Sequence, residues 1–117
     1  KVIKGFSNLK KTIDKVKNIK FDLFFIDGDH SYKVVKQDFY NYHNLVKKGG
    51  FIVFDDYLDY KYSPDVKQAV DDIVKEIKKN KLPYFIIGSL PNYSKANSPL
   101  NKIPKKYSNE FILYKYN

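Results

Sequence analysis

Two short apolar segments constrain the fold of this chain more than any other feature. Residues 21–26 (FDLFFI) and 51–54 (FIVF) are almost wholly apolar, and an aspartate follows each directly. Such runs are typical of strands that are buried on both faces of a parallel sheet. Between them, apolar side chains recur at helical spacing over residues 32–47. The order strand, helix, strand therefore predicts an α/β fold in which both strands run in the same direction.

Three helices are predicted around these strands. Ser7 is expected to cap a helix that runs to about Lys17, and Gly49-Gly50 is expected to end the helix of residues 32–47. Ser63-Pro64 predicts the start of the third helix, because proline is favoured in the first turn. The predicted buried stripes are Leu9, Ile13 and Val16; then Val35, Phe39, Tyr42 and Val46; then Val66, Val70, Ile73 and Ile77.

The last third of the chain predicts two more strands. Residues 84–87 and 111–116 are apolar enough to join the sheet. Residues 88–109 hold three prolines and a glycine among polar side chains, which predicts an irregular connection.

Composition excludes several classes of protein. The chain has no cysteine, so it has neither disulfides nor thiolate metal sites, and any metal must be held by oxygen or histidine. No apolar run approaches the roughly 20 residues that cross a bilayer, and no signal peptide opens the sequence. We therefore expect a cytoplasmic protein with no membrane partner.

The positive charge has a plain interpretation. The 22 basic residues are all lysines, and they give a net charge of +9. Bidentate recognition of guanine and phosphate normally relies on arginine, and these lysines are spread along the chain. A solvated, lysine-rich surface is thus favoured over nucleic-acid binding.

Acidic residues follow both central strands. Asp27 and Asp29 follow the first, and Asp55 and Asp56 follow the second. Sheets of this kind bind ligands beyond the carboxyl ends of their strands, so these carboxylates predict one site. Asp27, Asp55 and Asp56 could hold Mg²⁺, which prefers oxygen ligands. His30 could then act as general base on an acceptor hydroxyl.

Structural interpretations of the same residues stay open. Asp27 could serve as a turn or cap residue, and Asp55-Asp56 could begin an acidic loop. Capping of the following helix is favoured for Asp29. His43 lies among polar neighbours and is interpreted as a surface residue.

At these residues the sequence resembles a known family. Residues 21–57 contain the block IDGDHSY…V..D…L..GG.I..DDY, which resembles the second half of a class I S-adenosylmethionine-dependent methyltransferase. The similarity extends more distantly to metal-dependent catechol and macrolide-sugar O-methyltransferases. It implies a Rossmann-like sheet of order 3-2-1-4-5-7-6, of which this chain would supply strands 4 to 7, the last of them antiparallel, with flanking helices.

The resemblance also implies roles for individual residues. Asp27, Asp55 and Asp56 match the positions that bind Mg²⁺ in the metal-dependent relatives, and His30, with Asp27, matches the catalytic position. Residues 5–8 match the stretch that lies along the adenine of the cofactor. The residues expected to bind S-adenosylmethionine are Gly5, Phe6, Ser7, Asn8, Asp27 and Gly28.

Part of the family pattern is absent from the sequence. No glycine-rich phosphate or nucleotide loop occurs, and the chain begins at Lys1 without a methionine. We therefore expect residues 1–117 to be the C-terminal part of a single methyltransferase domain whose N-terminal cofactor-binding half is missing. Alone, this piece is expected to self-associate or to stay partly unfolded, and not to bind the cofactor.

The activity predicted is methyl transfer to a hydroxyl of a small molecule or sugar, with Mg²⁺ as an optional aid. A nucleotide-sugar glycosyltransferase that uses Asp27-Gly28-Asp29 is one alternative. A non-catalytic, lysine-rich domain that binds nucleic acid or a protein partner is another. Association with a second copy of the chain stays open.

Overall fold

The computed structural model describes residues 2–89 and 109–117. Its elements, in chain order, are α1 (Lys10–Val16), β1 (Phe21–Ile26), α2 (Tyr32–Tyr42), a 3₁₀ turn (His43–Leu45), β2 (Val46–Phe54), α3 (Pro64–Asn80), β3 (Tyr84–Gly88) and β4 (Phe111–Lys115). Most of the predicted irregular connection, residues 90–108, lies outside the described residues.

The four strands form one sheet of order β1-β2-β4-β3. β1 and β2 are parallel, whereas β4 runs antiparallel to both of its neighbours. This is the order 4-5-7-6 that the resemblance implies, with the last strand reversed. The α/β fold and the order of the strands are therefore confirmed.

The core lies between one face of the sheet and helices α2 and α3. Phe39 of α2 and Phe54 of β2 are fully buried, and their rings lie 6.1 Å apart. The stripe predicted for α3 is confirmed, since Val66, Val70, Ile73 and Ile77 are all buried. Such burial stabilises a fold by roughly 1.5–3 kcal/mol for each large apolar side chain.

The second predicted helix is shorter than expected. α2 ends at Tyr42, and Val46 is the first residue of β2. Gly49-Gly50 therefore lies inside a strand and does not end a helix. The reason is close packing of backbones, since a Cβ on Gly50 would lie 2.8 Å from the carbonyl oxygen of Asp22 in β1.

The first predicted helix starts later than expected. Leu9 is the N-cap residue of α1, it is 40% exposed, and no side chain caps the helix. The prediction that Ser7 caps this helix is wrong, because the Ser7 carbonyl accepts a hydrogen bond from the Tyr42 hydroxyl of α2 instead. The buried side chain of α1 is Thr12.

His43 is buried, which corrects its interpretation as a surface residue. Its ring stacks on Phe39 at a centroid distance of 4.8 Å, and its Nδ1 lies 3.1 Å from the Tyr84 hydroxyl. Burial lowers the pKa of His43, and the nearby Lys115 charge lowers it further. His43 is thus a neutral core residue at neutral pH.

The opposite face of the sheet is open. Paired positions place Leu23, Phe51, Tyr114 and Phe85 in one row across all four strands. Leu23 is 57% exposed and Phe85 is 60% exposed. Among the described strands, β1 pairs only with β2. The prediction that β1 is buried on both faces is therefore wrong for the part of the chain that the structure describes.

An edge strand with apolar side chains is a template for pairing with another chain. We expect residues 1–117 to self-associate, and Leu23→Lys to shift the population towards monomer because a charge on an edge strand opposes pairing. Sedimentation velocity over a concentration series measures the change.

Tyr60→Lys is the matched control for this experiment, because Tyr60 is 63% exposed and lies outside the sheet. Its sedimentation should match that of the original chain. A monomeric original chain, or equal dissociation of both lysine variants, would contradict the expectation.

Candidate active site

The pairing of β1 with β2 brings the two acidic segments to one edge of the sheet. Ile26 and Phe54 are partners at the ends of these parallel strands. The backbone N–H of Asp55 donates to the Ile26 carbonyl over 3.0 Å. Asp27 and Asp55 therefore leave the sheet side by side, as the sequence predicts.

His30 lies between two of the carboxylates. Its Nε2 is 3.6 Å from Oδ1 of Asp27, and its Nδ1 is 3.3 Å from Oδ2 of Asp56. The same Nδ1 lies 2.8 Å from the Ser63 hydroxyl oxygen. The His30 side chain is 26% exposed, so it is partly accessible to solvent.

Hydrogen bonding determines where the proton of neutral His30 lies. The Ser63 hydroxyl donates to Oδ2 of Asp56 over 3.3 Å. The Ser63 oxygen is then an acceptor for Nδ1–H of His30. Nε2 is buried and makes no hydrogen bond within residues 2–89 and 109–117. With the proton assigned to Nδ1, the lone pair of Nε2 is the one that a general base would use, and the ring would have to turn to present this buried atom to a substrate.

Asp55 has an unusual environment for a carboxyl group. Burial raises its pKa most, a hydrogen bond from the backbone of Asp56 lowers it, and the charges of Asp56 and Asp27 raise it again. The closeness of the Asp27 carboxyl also raises this pKa. Three carboxyls thus crowd one edge of the sheet, and Asp56 has a left-handed backbone with φ of 55°.

The three predicted metal ligands meet at this edge but do not form a metal site as they stand. Within the described part of the chain, no group of three or more acidic or histidine side chains is spaced to hold a metal ion. The imidazole of His30 lies between the carboxylates of Asp27 and Asp56. The donor atoms are of the oxygen type that hard cations prefer, and a shared cation would require His30 to turn away.

The predicted cofactor segment lies beside the same edge. The residues that line a cavity of about 330 Å³ are Gly5, Phe6, Ser7, Asn8, Gly28, Asp29 and Val34. The structure therefore brings the segment of residues 5–8 next to Gly28, although the two are separated by some twenty positions in the sequence. That these residues bind the cofactor stays a prediction.

The Asp29 side chain binds the backbone at the start of α2. Its Oδ1 accepts a hydrogen bond from the N–H of Ser31, the N-cap residue of α2, over 2.8 Å. The Ser31 side chain lowers the pKa of Asp29 most, and this backbone bond lowers it further. The favoured structural role of Asp29 at the start of α2 agrees with this contact.

Sequence comparison matches the start of the chain to a methyltransferase domain family, over residues 1–57. An uncharacterized protein of Acanthamoeba polyphaga mimivirus is 47% identical over 97 residues, which are 79% of this chain and 43% of that protein. The chain thus spans less than half the length of this curated relative.

Two solved structures resemble the fold at low sequence identity. The O-methyltransferase NovP has a TM-score of 0.51 and 19% identity, covering 84% of this chain and 31% of that one. The methyltransferase MycE, solved with Mg and SAH, has a TM-score of 0.59 and 19% identity. The match covers 98% of this chain and 32% of that one. The match to a methyltransferase domain family covers residues 1–57, and the two structures show the same fold.

The family match and the fold confirm two expectations from the resemblance, namely similarity to methyltransferases and a Rossmann-like sheet. The family match ends at Tyr57, so it contains the strand ends at Asp27 and Asp55-Asp56. In the described residues, no helix of this methyltransferase domain combines the length and the hydropathy that a bilayer span requires.

Sequence reasoning missed the role of Ser63. It was predicted only as the residue before α3, and it does occupy that N-cap position, but its side chain makes no capping hydrogen bond. The hydroxyl contacts His30 and Asp56 instead. No pattern in the sequence links Ser63 to His30, because they are 33 positions apart.

The tautomer of His30 can be measured directly. Nitrogen-15 NMR of the imidazole should show Nδ1–H as the main neutral form. The double variant Ser63→Ala, Asp56→Ala should move the proton towards Nε2, because Nδ1–H loses both acceptors. His43, whose Nδ1 partner is Tyr84, is the internal control and should keep its spectrum. A neutral His30 that carries its proton on Nε2 in the original chain would contradict this assignment.

Proposed function

We propose that this methyltransferase domain transfers a methyl group from S-adenosylmethionine to the hydroxyl of a small molecule or sugar. The observation that carries the proposal is the position of His30, whose Nδ1 contacts Ser63 and Asp56 while its Nε2 makes no hydrogen bond among the described residues. A base in this state at the carboxyl end of the strands is what oxygen methylation needs.

The cavity beside His30 fits the adenosyl part of the cofactor. Its volume of about 330 Å³ is at the lower end of ligand clefts, which hold roughly 300–1,000 Å³. Phe6 is 77% exposed at its wall and offers an aromatic face to a purine. Gly5 allows the wall to pack closely, because a Cβ there would lie 2.5 Å from Thr12 Oγ1.

The mechanism follows from the proton on Nδ1. Bound S-adenosylmethionine would supply an electrophilic methyl group on its sulfonium. The carbon–sulfur bond would break with its electrons staying on the sulfur of the cofactor, and the role of His30 would be to accept the proton of the acceptor hydroxyl on Nε2. The resulting imidazolium lies between the carboxylates of Asp27 and Asp56, which stabilise its charge.

The variant His30→Ala tests this role. In the protein at the full length that its gene encodes, kcat should fall by about 10²–10⁴-fold, the usual contribution of a general base. The dissociation constant of S-adenosylmethionine should change little, because the base acts on the acceptor. Kinetics and calorimetry measure the two effects.

Asp22→Asn is the control for His30→Ala, because this carboxylate is exposed and pairs with Lys47 away from the site. It should keep the original kcat. An unchanged kcat in His30→Ala would remove His30 from the mechanism.

Magnesium assistance is a further part of the proposal. One support is the crowding of Asp27, Asp55 and Asp56, because the charges of its two neighbours raise the pKa of Asp55. The other is the methyltransferase MycE, which was solved in complex with Mg and SAH. The three side chains would hold the ion, and its charge would offset their mutual repulsion. No step above depends on it.

Removal of divalent cations tests the magnesium proposal. Treatment with EDTA should lower turnover, and added Mg²⁺ should restore it. Asp55→Asn should raise the Mg²⁺ concentration for half-maximal activity by about tenfold or more, whereas Asp59→Asn, outside the cluster, should not. Full activity in EDTA would show that the carboxylates act without a cation.

We also propose that residues 1–117 form the C-terminal part of a single methyltransferase domain. The open edge of β1 and the exposed row across the sheet are where further strands and helices would add. The match covers only 43% of the length of the mimivirus relative, which supports the same proposal. On this proposal, the missing part would complete the cofactor site.

The glycosyltransferase alternative has less support. It needs the carboxylates of Asp27 and Asp29 to act together on one metal. The Asp29 carboxylate instead accepts the Ser31 N–H at the start of α2. Asp55 and Asp56 would also have no role in that reaction.

A further inference from the structure

Two adjacent aspartates of helix α3 each bind a tyrosine from a different half of the candidate site. Oδ2 of Asp72 accepts a hydrogen bond from the Tyr32 hydroxyl over 3.0 Å. Oδ1 of Asp71 accepts one from the Tyr57 hydroxyl over 2.7 Å. Tyr32 follows the loop that carries His30, and Tyr57 follows the acidic pair at the end of β2. The proposed mechanism uses neither aspartate, so these contacts need an explanation.

A lysine of the same helix orients each of these aspartates. Nζ of Lys67 lies 2.5 Å from Oδ2 of Asp71. Nζ of Lys75 lies 2.8 Å from Oδ1 of Asp72. Each carboxylate therefore binds a lysine with one oxygen and a tyrosine with the other. Hydrogen bonds to an ionised acceptor are stronger than those between neutral groups, so α3 offers each tyrosine a charged acceptor that is held in place.

A further contact joins α2 to α3 one helical turn later. Lys36 of α2 donates to Oε1 of Glu76 in α3 over 2.7 Å. Lys36 also donates to the Tyr32 hydroxyl over 3.4 Å. In both helices the second partner comes four residues after the first, so the two contacts lie on one face of each helix. The Tyr32 hydroxyl is thus a donor to Asp72 and an acceptor from Lys36.

These contacts affect His30 because its loop is joined to α3 at two points. Nδ1 of His30 lies 2.8 Å from the hydroxyl of Ser63, the N-cap residue of α3. Two residues after His30, Tyr32 binds Asp72. Ser63 and Asp72 are nine positions apart in the sequence, which is about 14 Å along a helix. Two widely spaced contacts with one helix restrict both the rotation and the translation of the His30 loop.

Tyr57 holds the other half of the site against the same helix. Its ring packs on Phe111 of β4 at a centroid distance of 4.6 Å, and its N–H donates to the Asn109 carbonyl over 2.7 Å. Its hydroxyl binds Asp71. Helix α3 therefore carries one tyrosine contact from each half of the site.

We propose that Tyr32 and Asp72 are positioning residues that hold His30 in its place between the carboxylates of Asp27 and Asp56. The reaction that this serves rests on the proposed function, whereas the positioning does not. Among the described residues, the wall of the cavity assigned to the adenosyl group includes neither Tyr32 nor Asp72. Loss of their contact should therefore lower the rate of methyl transfer and leave cofactor binding unchanged.

The first test measures the His30 imidazole by nitrogen-15 NMR, without ligand, in the protein at the full length that its gene encodes. In Tyr32→Phe and in Asp72→Ala, the ratio of Nδ1–H to Nε2–H should fall by about two- to tenfold, the effect of one lost hydrogen bond. Asp72→Asn should restore the ratio, because its amide oxygen can still accept from Tyr32.

Tyr84→Phe is the matched control, because it removes a tyrosine hydroxyl that contacts the other histidine, His43. It should change the spectrum of His43 and leave that of His30 unchanged. Tyr32→Phe should do the reverse, so one spectrum contains both the test and its control.

The second test measures kinetics in the same full-length protein. In Tyr32→Phe and in Asp72→Ala, kcat should fall by about tenfold, since misplacement of a catalytic group by about 1 Å can cost about 10²-fold. KM for S-adenosylmethionine should stay within about twofold of the original. Tyr84→Phe should keep both constants, although it also loses a hydrogen bond in the core.

Each result decides a separate statement. An unchanged His30 spectrum in both Tyr32→Phe and Asp72→Ala overturns the positioning. A changed spectrum with unchanged kcat overturns its role in the reaction, and a rise in KM as large as the fall in kcat overturns its assignment to His30. An original protein that transfers no methyl group refutes the proposed function, and the His30 spectrum still decides whether Tyr32 and Asp72 position this residue.

Discussion

The parallel pairing of β1 with β2 is the interaction on which the candidate site depends. It brings the carboxyl ends of both strands to one edge, with Ile26 opposite Phe54. Asp27 and Asp55 follow these partners, so their side chains share one region without any further constraint. The pairing extends to the start of β2, where Gly50 allows the two backbones to approach closely. A side chain at Gly50 would therefore disturb the site from the opposite end of the strand.

Helix α2 connects the core to both parts of the site. Its Val35 and Phe39 are buried against the sheet, which sets the rotation of the helix about its axis. That rotation directs Tyr42 towards Ser7. The loop before the helix carries His30 to Ser63 at the start of α3. Helix α2 thus links the packing of the core to the segment of residues 5–8, and the loop that precedes it places His30.

The errors in the sequence predictions share a physical cause. Apolar periodicity predicted that α2 would continue to Lys47. Val46 instead pairs with Phe21 as a strand residue. The same local reasoning placed His43 at the surface, although it stacks on Phe39 and meets Tyr84, 41 positions away. Local patterns report helix and strand tendencies, whereas pairing and burial depend on distant partners. The predictions were reliable where the pattern was long, as in the stripe of α3.

The sequence by itself determined the α/β class, the four strands and the convergence of Asp27, Asp55 and Asp56, because strand direction follows from the order of the elements. Its resemblance to a methyltransferase family also determined the strand order. Only the tertiary structure decided that His30 lies between two carboxylates, that Ser63 contacts its Nδ1, and that Tyr42 binds the Ser7 carbonyl. These contacts join side chains that are far apart in the chain, and their geometry follows from how helices pack on the sheet.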